Sequence, residues 1–138
     1  MDETSAGAVI FRKNDGKVMF LLLHYPSGHW DFVKGKMETN ETPLETVIRE
    51  AKEETGITDL KFVNNFEEKI RYNFQFDGLL INKSVIFFLA KTEQPQITLS
   101  HEHLDYIWLC YSDALEKTTY ENAKKILKKA EESLGKTL

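Results

Sequence analysis

The stretch Gly35 to Ile57, GKMETNETPLETVIREAKEETGI, constrains this chain more than any other. Thr42 is a natural N-cap, Pro43 suits the first helical position, and Glu45 completes a capping box, so a helix begins here. It should run through Thr55 and stop at Gly56, which can take the left-handed C′ conformation. Glu50, Glu53 and Glu54 then stand at i, i+3 and i+4 and share one face. Carboxylates this close repel one another. A hard divalent cation removes the repulsion, because it prefers carboxylate oxygens and keeps waters that phosphates can replace. A solvated acidic face is the ordinary fate of a charge run, but it leaves the glycine at each end and Arg49 among the acids unexplained. Leu44, Val47, Ile48 and Ala51 are the apolar positions expected to anchor the helix to a core.

Gly35, Glu41, Arg49, Glu50, Ala51, Glu53, Glu54, Gly56 and Ile57 match every defined position of the Nudix box, G-x5-E-x7-R-E-U-x-E-E-x-G-U, where U is apolar. The chain therefore resembles the Nudix hydrolases. The resemblance implies an α+β class and the Nudix fold, an α/β/α sandwich whose mixed β-sheet lies between the box helix and the C-terminal helix. It also implies hydrolysis of nucleoside diphosphates linked to another moiety, with Mg²⁺ or Mn²⁺ as cofactor. Glu50 and Glu54 are the surest metal ligands by this resemblance. Glu53 joins the metal set, and either Glu53 or Glu54 is the general base. An acidic residue outside the box often completes such a site. Glu102, within His101-Glu102-His103, is the candidate for both a ligand and a catalytic role, with His101 and His103 near substrate phosphates. Two histidines at i, i+2 also admit a zinc reading, which no cysteine cluster supports. Arg49 and Glu41 should support the helix by pairing with each other or with the ligating carboxylates.

Two features stand outside the common box pattern. Val33-Lys34-Gly35 occupies the place where many members have Pro-Lys-Gly, and Asn40 replaces a common glycine. Asn tolerates the left-handed region, and neither change touches a carboxylate. The segment LSHEHLDYIWL (Leu99–Leu109), Trp30 just before the box, FLLLHYPSGHW, KSVIFFLAK and Tyr120 resemble the asymmetrical diadenosine tetraphosphate hydrolases of the animal and archaeal type. That resemblance implies adenine held between aromatic rings and cleavage to ATP and AMP. Tyr72 and Tyr120 are the candidates for the aromatic platform. His29 and Trp30 should line the substrate site, and Lys34, Gly35, Lys36 and Lys83 should lie near the phosphates. Other readings are a Nudix enzyme acting on a damaged nucleoside triphosphate, a nucleotide sugar or an RNA 5′ end, or a catalytically silent nucleotide-binding module.

The 138 residues suit a single domain, 1–138, and 41% apolar residues are enough for a core. A net charge of −4 disfavours duplex nucleic acid as the main partner and fits a small-molecule nucleotide bound through local lysines and metal. No apolar run reaches spanning length, and the acidic start Met1–Glu3 does not read as a signal peptide, so a cytoplasmic protein is expected. Cys110 is alone in an apolar stretch and reads as buried core; no internal disulfide can form. Nothing in the pattern calls for an obligate protein partner.

The remaining chain reads as strands and helices. Ser5–Arg12 and Val18–His24 flank Asn14-Asp15-Gly16 and should form a hairpin. Leu21-Leu22-Leu23 suggests a strand covered on both faces, and Gly7 hints at close backbone approach. Tyr25–Lys34 reads as a loop. Ile70, Tyr72, Phe74 and Phe76 alternate with polar residues like a half-buried strand, which should pair with Lys83–Lys91. A further strand is expected at about 105–111, then a short helix from Ser112-Asp113. An amphipathic C-terminal helix follows, carrying Tyr120, Ala123, Ile126, Leu127, Ala130 and Leu134.

Overall fold

The computed structural model describes residues 2–136. Strands β1 (Asp2–Asn14) and β2 (Lys17–His24) form the expected hairpin, with Asp15 and Gly16 at positive φ in the turn. Two short strands, β3 (Trp30–Asp31) and β4 (Val33–Lys36), precede helix α1 (Pro43–Thr55). Then come β5 (Lys61–Phe62), β6 (Glu68–Phe76), β7 (Leu79–Lys91), β8 (Asp105–Leu109), α2 (Tyr111–Lys117) and α3 (Glu121–Lys136). One mixed sheet runs β3-β2-β1-β7-β5, with β4 also on β1, β6 also on β7 and β8 also on β2. Its centre is a parallel pairing of β1 with β7, from Asp2 beside Asn82 to Phe11 beside Lys91; the other pairs are antiparallel.

The apolar runs are continuous because both faces of the sheet are covered. Ala6, Ala8 and Ile10 of β1 and Leu21 and Leu23 of β2 pack with Val47 and Ala51 of α1. Val9, Phe11, Phe20 and Leu22, one residue out of phase, pack with Ala114 of α2 and Ala123, Ile126, Leu127 and Ala130 of α3. Fully burying each Leu, Ile or Phe contributes about 1.5–3 kcal/mol, so both helical layers are held by the same few strands. This is the α/β/α sandwich expected of the Nudix fold.

Several expectations need correction. Leu44 and Ile48 are exposed, and α1 turns Thr46, Val47, Ala51, Glu54 and Thr55 inward instead. Strand β6 is an edge strand paired only with β7, and Tyr72, Phe74 and Phe76 are exposed, while Ile70 packs against the core. Trp30–Asp31 and Val33–Lys36 are strand rather than loop, and α2 begins at Tyr111. Tyr120 lies just before α3. Cys110 is half-buried, its Sγ 3.3 Å from Met19 Sδ.

Gly7 sits where β1 runs between β4 and β7. A Cβ there would lie 2.8 Å from Lys34 Cβ and 2.9 Å from Phe87 Cε1, and would strike the Val33 carbonyl. A backbone oxygen cannot swing aside as a side chain can. Gly7→Ala should therefore destabilise the fold by about 1–3 kcal/mol, outweighing the ~0.4–1 kcal/mol that stiffening the unfolded chain would supply. A urea midpoint equal to the parent's would refute the close approach.

Candidate active site

Helix α1 is fixed at both ends. Thr42 Oγ1 accepts from Glu45 N–H at 3.2 Å, and Glu45 Oε1 accepts from Thr42 N–H at 2.8 Å. Gly56 ends the helix at φ 77°, its N–H donating to the Lys52 carbonyl. Asn40 takes the left-handed conformation at φ 68°. With the helix start and stop set, the azimuth of each carboxylate follows. Residues turn about 100° each, so Glu50 and Glu54 lie nearly one above the other, while Glu53 falls well to one side. Glu50 and Glu54 face the sheet, 15% and 7% exposed, and Glu53 turns outward at 58%. The shared face is thus a buried Glu54 beside a half-buried Glu50, with a third carboxylate at the rim.

Arg49 ties this set together. Its Nε and Nη2 donate to the two carboxylate oxygens of Glu41 at 2.7 and 3.0 Å, and Nη2 also donates to the Lys36 carbonyl at 3.0 Å. Nη1 donates to Glu50 Oε1 at 2.7 Å and reaches Glu53 Oε2 at 3.3 Å. The Arg49 hydrogen bond, with the Glu38 backbone N–H and the Thr46 hydroxyl, holds Glu41 down to about 2. Both expected pairings of Arg49 occur together.

Glu50 and Glu54 line a cavity of about 390 Å³ with Tyr25, Lys34, Gly35, Glu102 and His103. The loop bearing Glu102 hangs from the end of α1, with Thr98 N–H donating to the Thr55 carbonyl and Ser100 N–H to the Glu54 carbonyl. It thereby satisfies carbonyls that a helix end leaves open. His103 is buried, whereas His101 is exposed and outside this lining, so the two do not share a zinc site. Burial first, then the hydrogen bond and charge of Glu50 and the charge of Glu102, push Glu54 up to about 10. Burial lowers His103 and keeps its ring neutral.

Glu54 Oε1 is buried without a hydrogen-bond partner. An orphaned carboxylate oxygen in an acidic cavity fits a divalent cation, which would let Glu54 ionise. Among the described residues, no three His, Cys, Asp or Glu side chains are placed together closely enough to hold a metal ion by themselves.

A second cavity, about 690 Å³, is lined in part by Tyr25, His29, Asp31, Lys34, Tyr72 and Tyr120. Tyr25 and Lys34 line both cavities, so the two adjoin. Its aromatic wall is layered: Tyr25 and His29 stack at 4.6 Å, and Tyr120 lies 5.1 Å from His29. Burial lowers His29, with Asp31 opposing. Burial of its ring, then the charge of Glu54, raises half-buried Tyr25 well above its ordinary value, so its hydroxyl keeps its proton and donates to the Phe32 carbonyl.

The structure brings His29, Lys34, Tyr72 and Tyr120 to this cavity but not Trp30. Trp30 stacks on His24 at 4.5 Å, and Lys117 Nζ lies 4.5 Å over the same ring. Lys36 and Lys83 lie outside both linings, 3.1 and 3.9 Å from the carboxylate of Glu3. Sequence reading missed Tyr25, Asp31, Glu3 and Ser100. Asp31 alone carried a signal, as a charge between Trp30 and Phe32. It is buried, its Oδ1 accepting from Phe32 N–H and its Oδ2 from Lys34 Nζ at 3.1 Å.

The fold and the box carboxylates define a class: the NUDIX domain matches residues 1–130, and the chain belongs to that family. The bis(5′-nucleosyl)-tetraphosphatase [asymmetrical] of Caenorhabditis elegans is 36% identical over 128 residues, 91% of each chain. Its counterpart from Mus musculus is 31% identical over 145 residues, 96% of each. A crystal structure of a C. elegans Ap4A hydrolase binary complex superposes with a TM-score of 0.86 at 36% identity, covering 96% of this chain and 98% of that one. The NUDIX domain of Shewanella oneidensis NrtR, complexed with ADP ribose, has a TM-score of 0.75 at 17% identity and shows the fold alone.

Proposed function

We propose that this chain is a Mg²⁺-dependent asymmetrical bis(5′-nucleosyl)-tetraphosphatase, cleaving diadenosine tetraphosphate to ATP and AMP. One observation carries the reading: an acidic cavity and an aromatic cavity adjoin through Tyr25 and Lys34. A nucleotide with a long polyphosphate needs that pairing, a flat surface for a base and a carboxylate site for phosphates. The C. elegans and mouse relatives carry the corresponding name. Residues 1–138 are proposed as one Nudix hydrolase domain acting in the cytoplasm; no helix among the described residues is long and apolar enough to cross a membrane.

In this reading Tyr72 and Tyr120 receive an adenine, and stacking contributes about 1–3 kcal/mol per base. His29 backs Tyr120, and Lys34, held by Asp31, lies where the base side meets the phosphate side. Lys36 and Lys83 can exchange Glu3 for a phosphate. Glu50 and Glu54, with Glu53 at the rim and Glu102 across the cavity, would hold Mg²⁺ or Mn²⁺. The cation neutralises phosphate charge and helps orient water. Water adds to one phosphorus, the bridging P–O bond breaks toward the departing phosphate, and a carboxylate takes the proton of the water. Glu53 and Glu54 remain the two candidates for that base.

Stacking reads a ring face rather than a base edge, so guanine should be accepted in place of adenine. Tyr120→Ala should raise KM more than it lowers kcat. Because the carboxylates lie at one end, water enriched in heavy oxygen should label only one product. Chromatography of a substrate panel tests this directly. Two ADP, or preference for a mononucleoside triphosphate, would move the assignment to another Nudix substrate. Binding without Mg²⁺-dependent turnover would make the chain a nucleotide-binding module.

A further inference from the structure

Two buried polar atoms face each other beside the carboxylates. Glu54 Oε1 and His103 Nε2 both lack a hydrogen-bond partner and stand 3.4 Å apart, their side chains 7% and 4% exposed. A buried polar atom left unsatisfied is destabilising, and a small turn of either side chain would satisfy both. With Glu54 ionised, as a metal ligand is, that solution requires Nε2 to carry the imidazole hydrogen.

The surroundings of Nδ1 favour this. Ser100 Oγ lies 3.1 Å from His103 Nδ1. The same oxygen already accepts from Glu102 N–H at 3.4 Å, so its own hydrogen is free to point at Nδ1. A hydroxyl donating to Nδ1 leaves the ring hydrogen on Nε2, aimed at Glu54. Ring position is fixed as well. Tyr25 packs edge-on against it at 4.7 Å, His103 N–H donates to the Ser100 carbonyl, and Ser100 N–H donates to the Glu54 carbonyl. Backbone and side-chain links therefore join Glu54, Ser100 and His103 into one unit.

We propose that His103 is a positioning residue: its Nε2–H orients the Glu54 carboxylate toward the acidic cavity, and Ser100 sets the tautomer that makes this possible. The proposal rests on reading Glu54 as a metal ligand, and it gives His103 a task other than phosphate contact. A ligating carboxylate held by an outer hydrogen bond binds its ion more tightly than a free one, because its orientation is fixed in advance.

The test uses the full chain and Mn²⁺ alone, with free ion measured by electron paramagnetic resonance. His103→Leu should weaken Mn²⁺ binding by about 10- to 100-fold. His103→Gln, whose amide nitrogen can stand where Nε2 stood, should recover most of that loss. Ser100→Ala should fall between the parent and His103→Leu. Melting curves establish that each variant is folded. If His103→Leu does not fold, His103→Gln and Ser100→Ala carry the comparison. Parent-like affinity in Ser100→Ala overturns the tautomer assignment. Equal weakening in His103→Gln and His103→Leu overturns the donor role. Glu54→Gln separates the two layers. Parent-like Mn²⁺ affinity in Glu54→Gln removes Glu54 as a ligand. Weak binding there with undiminished binding in His103→Leu overturns the positioning role alone.

Discussion

Glu54→Gln should abolish most of the activity and at the same time make the metal-free protein more stable. The first effect follows from the proposed ligand set: removing one charged ligand should cost several kcal/mol at the transition state, or about 100-fold or more in rate. The second follows from burial. Glu54 has an ordinary value of 4.5 and is pushed up to about 10 in the fold, mainly by burial and then by Glu50. Between those values the folded chain holds a proton that the unfolded chain releases. Stability without metal must therefore fall as pH rises through that interval. A glutamine keeps the shape of the protonated acid and does not titrate. At alkaline pH it should gain on the order of 1–3 kcal/mol over the parent, visible as a melting temperature higher by several degrees. Melts at roughly pH 5 and roughly pH 9 without divalent ions bracket most of the interval. A parent whose metal-free melting temperature holds or rises toward alkaline pH would disprove the burial argument. A folded Glu54→Gln protein with near-normal turnover would disprove the metal-site reading.

Gly35→Ala should damage the same site from the other side. A Cβ built on Gly35 lands on the carboxyl group of Glu50. Glu50 cannot simply retreat, because Arg49 Nη1 holds its Oε1 at 2.7 Å and the same Arg49 is held by Glu41. The methyl group must break that arrangement or displace β4, at about 1–3 kcal/mol. Moving a carboxylate that holds metal costs about 10- to 100-fold in metal affinity or activity. The expected result is a folded enzyme with a higher Mg²⁺ requirement and a lower kcat. Titrating activity against Mg²⁺ reads this directly, and a curve that overlays the parent's would show that Glu50 has room to move.

The helix bearing these residues is legible in sequence because its determinants are local. Thr42, Glu45 and Gly56 act on backbone groups within a few positions, and the observed capping box and left-handed Gly56 follow from them. The two-sided burial of β1 and β2 is legible too, since Leu21-Leu22-Leu23 leaves no polar face. Other features depend on distant residues. Val33–Lys36 has no strand pattern of its own and becomes a strand by pairing with Ser5–Ala8. Tyr72, Phe74 and Phe76 alternate like a covered strand, yet whether anything covers them is not written in β6. In the site, the box glutamates are recognisable by spacing, but the outward turn of Glu53 is set by which face α1 lays on the sheet. Tyr25 and Ser100 are ordinary loop residues in sequence, and only the fold brings them to Glu54.

The parallel pairing of β1 with β7 has a consequence for the newborn chain. Asp2–Phe11 finds its place beside Asn82–Lys91, so the first strand leaves the ribosome long before its neighbour exists. The β1–β2 and β6–β7 hairpins can each close locally, because their turns join adjacent segments. Bringing the two hairpins together closes a much longer loop and is intrinsically slow. Until then β1 offers an open edge and apolar faces to other chains. Helix α1 lies in the connection between these hairpins. The central sheet therefore closes only when the beginning and the middle of the chain first meet, and the site is completed later still, once Glu102, His103 and Tyr120 have followed.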